Sequence, residues 1–257
     1  RSLIYGTVRK SGAIVHAETL NNNADLYLVI ALCGHEVNSI GSVFFNDTEI
    51  TSGQLDGSGN VNAGTFNGKA QIIKHTGSTT QTVDTVLDSA STVWTSNHRL
   101  RGVAYLMVKL TYETDVFPNG IPNISAVIEG KKVLNVSTSA TAYSNNPANI
   151  IYNYLTSSDG LGASTSEIDL ATFQQARADC DDSISITGGT QSRYTCNGVI
   201  VLNRKPVEVI EDLVSSCAGT LTYQQGKFKL KVGKASSSIR TLTDDDLSGE
   251  LKIVTRP

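Results

Sequence analysis

The sequence has little charge, few aromatic residues and no long apolar run. Charged residues make up 18% of the 257 residues, whereas a soluble domain has about 25%. The aromatic share is 6%, with Trp94 as the single tryptophan. The longest apolar stretch, residues 26–33, ends at Gly34 and is far shorter than the roughly 20 residues of a membrane-spanning helix. We therefore expect a lightly charged globular protein that does not insert into a membrane.

An excess of basic residues is also missing. The chain has 21 Lys and Arg against 24 Asp and Glu, and its net charge is -3. Phosphate backbones and anionic lipids are attracted by concentrated positive charge. This balance argues against nucleic-acid binding by charge alone.

The cysteines show neither a CxxC pair nor a metal-like spacing with histidine: they are Cys33, Cys180, Cys196 and Cys217. This pattern argues against a zinc site. A short polar segment separates Cys180 from Cys196, so a disulfide between them and ordinary buried thiols are both open.

Motifs for nucleophilic or metal-assisted catalysis are absent as well. The sequence has no GxSxG elbow. His35-Glu36 resembles the start of a zinc-protease helix, but Ser39 stands where the second histidine is needed. The loop 56–60 has oxygen donors but lacks the acidic residue that closes a calcium loop, so we predict a turn. The four histidines are predicted to be surface or interface residues: His16, His35, His75 and His98.

Paired carboxylates leave one enzymatic alternative open, a cell-wall or capsule glycosidase. Its acid and base would come from Glu18, Asp47, Glu49, Asp84, Glu113 or Asp115. Their separation decides whether such a site exists, and sequence does not give it. We predict no catalytic, cofactor-binding or metal-binding residue and no cofactor.

Small polar residues are abundant, with 27 Ser, 27 Thr and 18 Asn. These types suit strands and turns better than helix interiors. Apolar or alternating stretches predict strands at residues 26–32, 42–45, 48–50 and 102–112, and a hairpin-like pair at 124–133 around Gly130. The first half therefore reads as β-rich.

The pattern changes near Thr138, where helical periodicity begins. Asn146 and Pro147 are typical of a helix start. Helices are predicted at 148–155, 170–180 and 207–217, followed by a hairpin at 221–232 and a last strand at 251–254. Lys227, Lys229 and Lys231 fall on the outer face of that hairpin. We predict an α+β fold, with a β-rich domain at 1–139 and a smaller domain of three helices on a sheet at 140–257.

Several segments resemble one known family over nearly the whole chain. They include VIALCGHEVNSIGSVFFND at 29–47, WTSNHRLRGVAYLMVKLTYETDVFPNGIPNISAVIEGKKV at 94–133, TAYSNNPANIIYNYLTSSDGLGA at 141–163, EIDLATFQQARADCD at 167–181 and RYTCNGVI at 193–200. These segments are similar to the hub region of the tip attachment, or host specificity, proteins of lambda-like siphophages.

The resemblance implies a structural virion protein and not an enzyme. It implies a homotrimeric hub, assembled in the host cytoplasm, that closes the tail tube, links it to the central fibre and serves host attachment and genome ejection. Its partners would be other tail-tip and distal tail proteins and the tape-measure protein, with DNA passing through without specific binding. The first domain would contain a tube-like barrel, with residues 104–110 and 124–133 in its wall.

A third class, a carbohydrate-binding adhesin, is also considered. Such a module presents exposed aromatic platforms to sugar rings. With 6% aromatic residues and one tryptophan, the sequence is poorly supplied for that role.

Overall fold

The computed structural model describes residues 2–237, 240, 241, 243–246 and 249. The predicted strand at 251–254 lies outside this range. The helices are α1 Thr85–Ala90, α2 Pro147–Thr156, α3 Leu170–Asp181 and α4 Pro206–Ser215. The strands are β1 Ser2–Tyr5, β2 Thr7–Ser11, β3 Ala13–Leu20, β4 Asp25–Cys33, β5 Ser39–Phe45, β6 Thr48–Ile50, β7 Ala70–His75, β8 Ala104–Thr111, β9 Ile124–Glu129, β10 Lys132–Leu134, β11 Thr141–Tyr143, β12 Ser183–Ile186, β13 Gly189–Ser192, β14 Gly198–Val201, β15 Thr220–Gln224 and β16 Lys227–Lys231.

The α+β prediction is confirmed, and the first half is β-rich as expected. Two antiparallel four-stranded sheets, in the orders β2-β9-β5-β6 and β3-β4-β8-β7, share one hydrophobic core. Leu28 and Leu106 enter it from one sheet, and Val43 and Ile128 enter it from the other.

The sheets do not close into the predicted barrel. Within the described residues they remain two separate sheets, joined at one side where β2 runs through Gly12 into β3. Gly12 lies close to the neighbouring backbone, because a Cβ there would meet the Ala31 carbonyl oxygen at 2.4 Å. The tube-like barrel is thus replaced by an open sandwich with one tight corner.

Strands β4 and β8 are buried on both faces, which explains their almost continuous apolar sequence. Leu28 and Ile30 point into the sandwich core, while Tyr27 and Val29 point to the outer side. There the segment between β7 and β8, with α1, covers the sheet through residues such as Trp94. Side chains alternate along a strand, so a strand covered on both faces has no polar face.

The predicted hairpin at 124–133 is wrong. Strand β9 pairs with β2 and β5, whereas β10 pairs with β11. Gly130 is used for a close approach to β1, since a Cβ there would lie 2.2 Å from the Ile4 carbonyl oxygen. The Lys131 N–H donates to that same oxygen at 2.7 Å. The segment between β9 and β10 therefore follows β1 and does not turn back.

The second half contains the three predicted helices. Each begins and ends within two residues of its predicted position. They enclose a second core, in which Phe173, Leu155 and Leu213 are buried. Two-stranded sheets, β1-β14 and β15-β16, contribute Ile200 and Leu230 to this core. The β10-β11 sheet adds Val133, so the single sheet predicted under the helices is replaced by several two-stranded sheets in the described part of the chain.

Asn146 caps α2 as predicted. Its side-chain oxygen accepts from the Ala148 N–H at 3.0 Å. Its amide nitrogen donates to the Arg177 carbonyl at 3.0 Å and to Asp181 Oδ1 at 2.7 Å. This 4%-exposed side chain therefore also ties the start of α2 to the end of α3.

Strand β1 belongs to both cores. Ile4 lies in the sandwich core, whereas Leu3 and Tyr5 lie in the helical core. The Ile4 N–H donates to Nε2 of His35 at 3.0 Å. Because Nε2 accepts, the proton of this buried neutral ring is on Nδ1, which donates to the Glu36 carbonyl at 2.8 Å.

The division into two domains at residue 139 stays a prediction.

Gly6 forms the bend between β1 and β2. Its φ is +62°, and a Cβ there would meet the Cys196 carbonyl oxygen at 2.3 Å. The Thr7 N–H then donates to Asn197 Oδ1 at 2.8 Å.

No helix of the described part is long and apolar enough to cross a membrane.

Gly6→Ala is predicted to lower the free energy of unfolding by about 2 kcal/mol or more. The alanine adopts a left-handed backbone and overlaps a carbonyl oxygen that has little room to move. Urea unfolding of both proteins measures the difference. Gly198→Ala is the control, because Gly198 lies nearby in β14 with nothing within 4 Å of its Cβ position. Equal stabilities of the two variants would contradict this account of the bend.

Asn146→Ala is predicted to cost about 2–4 kcal/mol, because it removes a helix cap and the two hydrogen bonds that the buried Asn146 amide donates to α3. The same unfolding titration measures it. Asn145→Ala serves as a neighbouring control with no side-chain hydrogen bond in the described structure, and we expect a change below about 1 kcal/mol. A loss at position 146 no larger than that at 145 would refute the proposed link between α2 and α3.

Candidate functional surfaces

His75 and Asp84 form the closest histidine–carboxylate pair. His75 Nε2 lies 2.7 Å from Asp84 Oδ2, and the Tyr105 ring stacks on His75 at 4.3 Å between centroids. The other oxygen of Asp84 accepts from the Leu87 N–H at 2.9 Å and so caps α1. The Asp84 carboxylate is fully buried. The pair fastens the covering segment to the sheet, and the structure places no serine or cysteine nucleophile on it.

The other histidines have different environments. His16 is half-buried, lies 3.3 Å from Glu18 and packs on Trp94, and exposed His98 stacks on the same indole. His35 is buried, so its prediction as a surface residue is wrong: its ring nitrogen is needed inside as the acceptor for β1. Because Trp94 is only 5% exposed, it offers no platform to a sugar.

None of the six candidate carboxylates lines any of five cavities of the described structure, each of which is lined by at most one carboxylate. Asp47 pairs with Arg9, Glu113 pairs with Lys69, and Asp84 is buried under α1. No group of three metal-ligating side chains occurs in the part of the chain that the structure describes. The geometry thus gives no support to the glycosidase alternative.

The loop 56–60 is a turn, as predicted. Asp56 Oδ1 accepts from the Ser58 and Asn60 N–H groups at 2.8 Å, and Oδ2 accepts from the Asn60 side chain at 2.9 Å. These hydrogen bonds lower the pKa of the Asp56 carboxyl below its usual value. The carboxylate therefore stabilises the conformation of its own loop.

All four cysteines are free and buried, so Cys180 and Cys196 form no disulfide. Cys180 lies beside Cys217, and the hydrogen bond that its thiol donates to Cys217, together with burial, raises the pKa of Cys180. The same hydrogen bond lowers the pKa of Cys217, whose own thiol donates to the Val214 carbonyl. Burial also raises the pKa of the Cys196 thiol. Neutral thiols of this kind pack as small apolar groups.

Strand β3 is an exposed, apolar sheet edge that sequence analysis missed. It pairs with β4 on one side and with no strand of the described structure on the other. Ile14 and Val15 are 55% and 54% exposed there. An open edge with apolar side chains is a ready site for pairing with another chain. The adjacent Ile and Val of the sequence were the available signal.

One end of the sandwich carries a second apolar surface. A groove of about 220 Å3 lies between the β3–β4 turn and the segment after β8, lined by Leu26, Leu110 and Phe117. Tyr112 and Ile121 stand at its rim, 70% and 55% exposed.

The turn beside this groove is anchored by a buried carboxylate. Asp25 accepts from Asn21 Nδ2 at 2.6 Å, from Thr111 Oγ1 at 2.7 Å and from Lys109 Nζ at 3.1 Å. Burial alone raises the pKa of Asp25, but these hydrogen bonds outweigh it and lower the pKa below its usual value. The ionised carboxylate thus holds the turn in place.

The predicted lysine face is present on the β15–β16 hairpin. Lys227, Lys229 and Lys231 alternate with Phe228 and Leu230 along β16, and Lys227 and Lys231 are exposed. Their cross-strand neighbours are Gln224, Thr222 and Thr220. This face is polar and positively charged, opposite the face that packs on the helices.

Comparison with known proteins finds similarity in sequence and similarity in fold. No family model matches the chain. Tip attachment protein J of Escherichia phage SECphi27 is 25% identical over 171 residues, which cover 58% of this chain and 14% of that protein. A chain of the solved virion of a native gene transfer agent particle matches with a TM-score of 0.53 at 15% identity, over 93% of this chain and 53% of that one.

The chain therefore spans a seventh of the curated relative and about half of the solved one. The likeness to the gene transfer agent chain concerns the fold and covers nearly all of the present chain. The likeness to protein J concerns the sequence over more than half of it. The resemblance predicted from the sequence is confirmed: more than half of the chain is similar in sequence to tip attachment protein J, and its fold is similar to that of a virion chain. The predicted location in the virion agrees with both comparisons.

Proposed function

We propose that this chain forms a homotrimeric central hub of the phage tail tip. The hub closes the tail tube, links it to the central fibre and takes part in host attachment and genome ejection. Its partners are other tail-tip and distal tail proteins and the tape-measure protein. The observation that carries this proposal is the sequence similarity to tip attachment protein J.

The surface of the described structure supports an assembly role. A ring of identical chains uses two different surfaces of each copy, because each copy meets a neighbour on either side. The open β3 edge and the apolar groove at the sandwich end are two such unpaired surfaces. Exposed apolar side chains of this extent are typical of interfaces.

The charge of the chain supports passage of DNA without binding. A net charge of -3 gives no general attraction to phosphate. A conduit that holds DNA tightly would slow ejection, so weak interaction suits the role. The absence of convergent carboxylates in the five cavities favours a structural protein over the glycosidase.

A trimer is the expected state of the purified chain. Size-exclusion chromatography with light scattering should give a mass of about 82 kDa, three times the 27.4 kDa of the chain. A mass of 27.4 kDa at all concentrations, or a release of sugars from cell-wall polymers by the purified chain, would refute the proposal.

Lysine at positions 14 and 15 should dissociate the trimer. The double variant Ile14→Lys and Val15→Lys places charge on the open β3 edge, where pairing would bury it without a partner. Light scattering then gives a monomer that still unfolds in a cooperative thermal transition. Val207→Lys is the control, since Val207 is 56% exposed at the start of α4 in the other half. A trimer that survives the β3 substitutions would exclude this edge as an interface.

A further inference from the structure

The charge of the chain is divided very unevenly. Residues 213–243 contain five basic residues and no Asp or Glu. Subtracting these five from the net charge of -3 leaves -8 for the rest of the chain. One segment of an acidic protein is therefore strongly basic, and the β15–β16 hairpin lies in its middle.

The hairpin collects three of these charges on one face. Alternate residues of a strand lie about 6.6 Å apart on the same face, so Lys227, Lys229 and Lys231 form a row about 13 Å long. None of the three forms an ion pair with any residue that the structure describes. Their cross-strand neighbours Thr222 and Gln224 have no charge to offer. The row is thus a set of ammonium groups that can bind anionic groups of another molecule.

Lys234 shows how a lysine of this segment is paired within the chain. Its Nζ lies 2.8 Å from Asp179 and 2.7 Å from Asp182, beyond the end of β16. These two carboxylates raise the pKa of the Lys234 ammonium. Carboxylates therefore neutralise Lys234, whereas no carboxylate of the described residues forms an ion pair with the row on β16, although Asp179 lines the same cavity as Lys231.

Protein carboxylates fit the row better than nucleic acid does. Binding sites for single-stranded nucleic acid combine positive charge with aromatic rings on which the bases stack. Here Tyr223 and Phe228 pack against each other, 4.7 Å between ring centroids, on the opposite face of the hairpin. The charge of -8 on the rest of the chain repels a polyanion, and it supplies carboxylates to a neighbouring copy.

We propose that Lys227, Lys229 and Lys231 bind carboxylates of a second copy of this chain. This inference rests on the proposed homotrimer and names one of its contacts. A basic face and an excess of carboxylates over the rest of the same chain are complementary between copies, and a ring repeats that contact around its axis. The contact complements apolar burial elsewhere and sets the register between copies.

The test compares two triple variants of the full 257-residue chain by light scattering at low and physiological salt. Lys227→Gln, Lys229→Gln and Lys231→Gln together should raise the dissociation constant of the trimer at least about tenfold at low salt. Added salt should raise the dissociation constant of the wild-type trimer until it approaches that of the variant. The control removes the same charge elsewhere through Arg99→Gln, Lys132→Gln and Lys205→Gln, all exposed positions. It should assemble like the wild type.

The outcomes separate this inference from the proposed function. A trimer that is unchanged by the β16 substitutions overturns the inference and leaves the hub proposal intact, while a monomeric wild type overturns both. An equal loss in the control also overturns it, because the effect is then one of net charge alone.

Zero-length carbodiimide cross-linking of mixed 14N- and 15N-labelled chains gives the direct readout. The reagent should join the β16 lysines of one chain to Asp or Glu of a chain that carries the other isotope. Binding of a 20-nucleotide single-stranded DNA that is lost only in the β16 variant would assign the row to nucleic acid instead and refute the inference.

Discussion

Strand β1 is the element on which the rest of the structure depends, because its side chains alternate between two cores. Ile4 is buried in the sandwich, and Leu3 and Tyr5 are buried among the helices. Burial of each such side chain contributes about 1.5–3 kcal/mol. Three side chains of one short strand therefore couple the packing of both halves. The close approaches at Gly6 and Gly130 and the ring nitrogen of His35 all follow from fitting this strand between its neighbours.

The polar clusters and the open surfaces of the chain have different roles. The polar groups that resemble catalytic pairs, such as His75 with Asp84, are used to fasten covering segments to the sheets. The surfaces without a partner in the described structure include the apolar β3 edge, the groove at the sandwich end and the lysine face of β16. A protein whose polar clusters stabilise its own fold and whose open surfaces are apolar or positively charged is suited to bind neighbouring chains.

Local signals predicted most of the fold. The helices of the second half were placed from apolar spacing and from the Asn146-Pro147 start, because cap and period act within a few residues. Strands β4, β5, β6 and β8 were also placed, since buried strands have apolar sequences. The hairpin at 124–133 failed because Gly130 signals either a turn or a close approach. Only the distant strand β1 decides between them.

The functional surfaces were less predictable for the same reason. The lysine face could be predicted because alternation along one strand defines it. The open edge of β3 and the groove beside Tyr112 depend on which strands pair, and pairing partners far apart in sequence leave no local pattern. The buried state of His35 likewise depends on a backbone donor 31 residues away.

The most direct test of the central claim is a cryo-electron microscopy reconstruction of the tail tip of virions that carry this protein. The account predicts that three copies of the chain surround an axial channel at the end of the tail tube, with the β3 edges and the lysine faces of β16 at the contacts between copies. A reconstruction that places the chain away from the tail axis, as a single copy with no like neighbour, would contradict it.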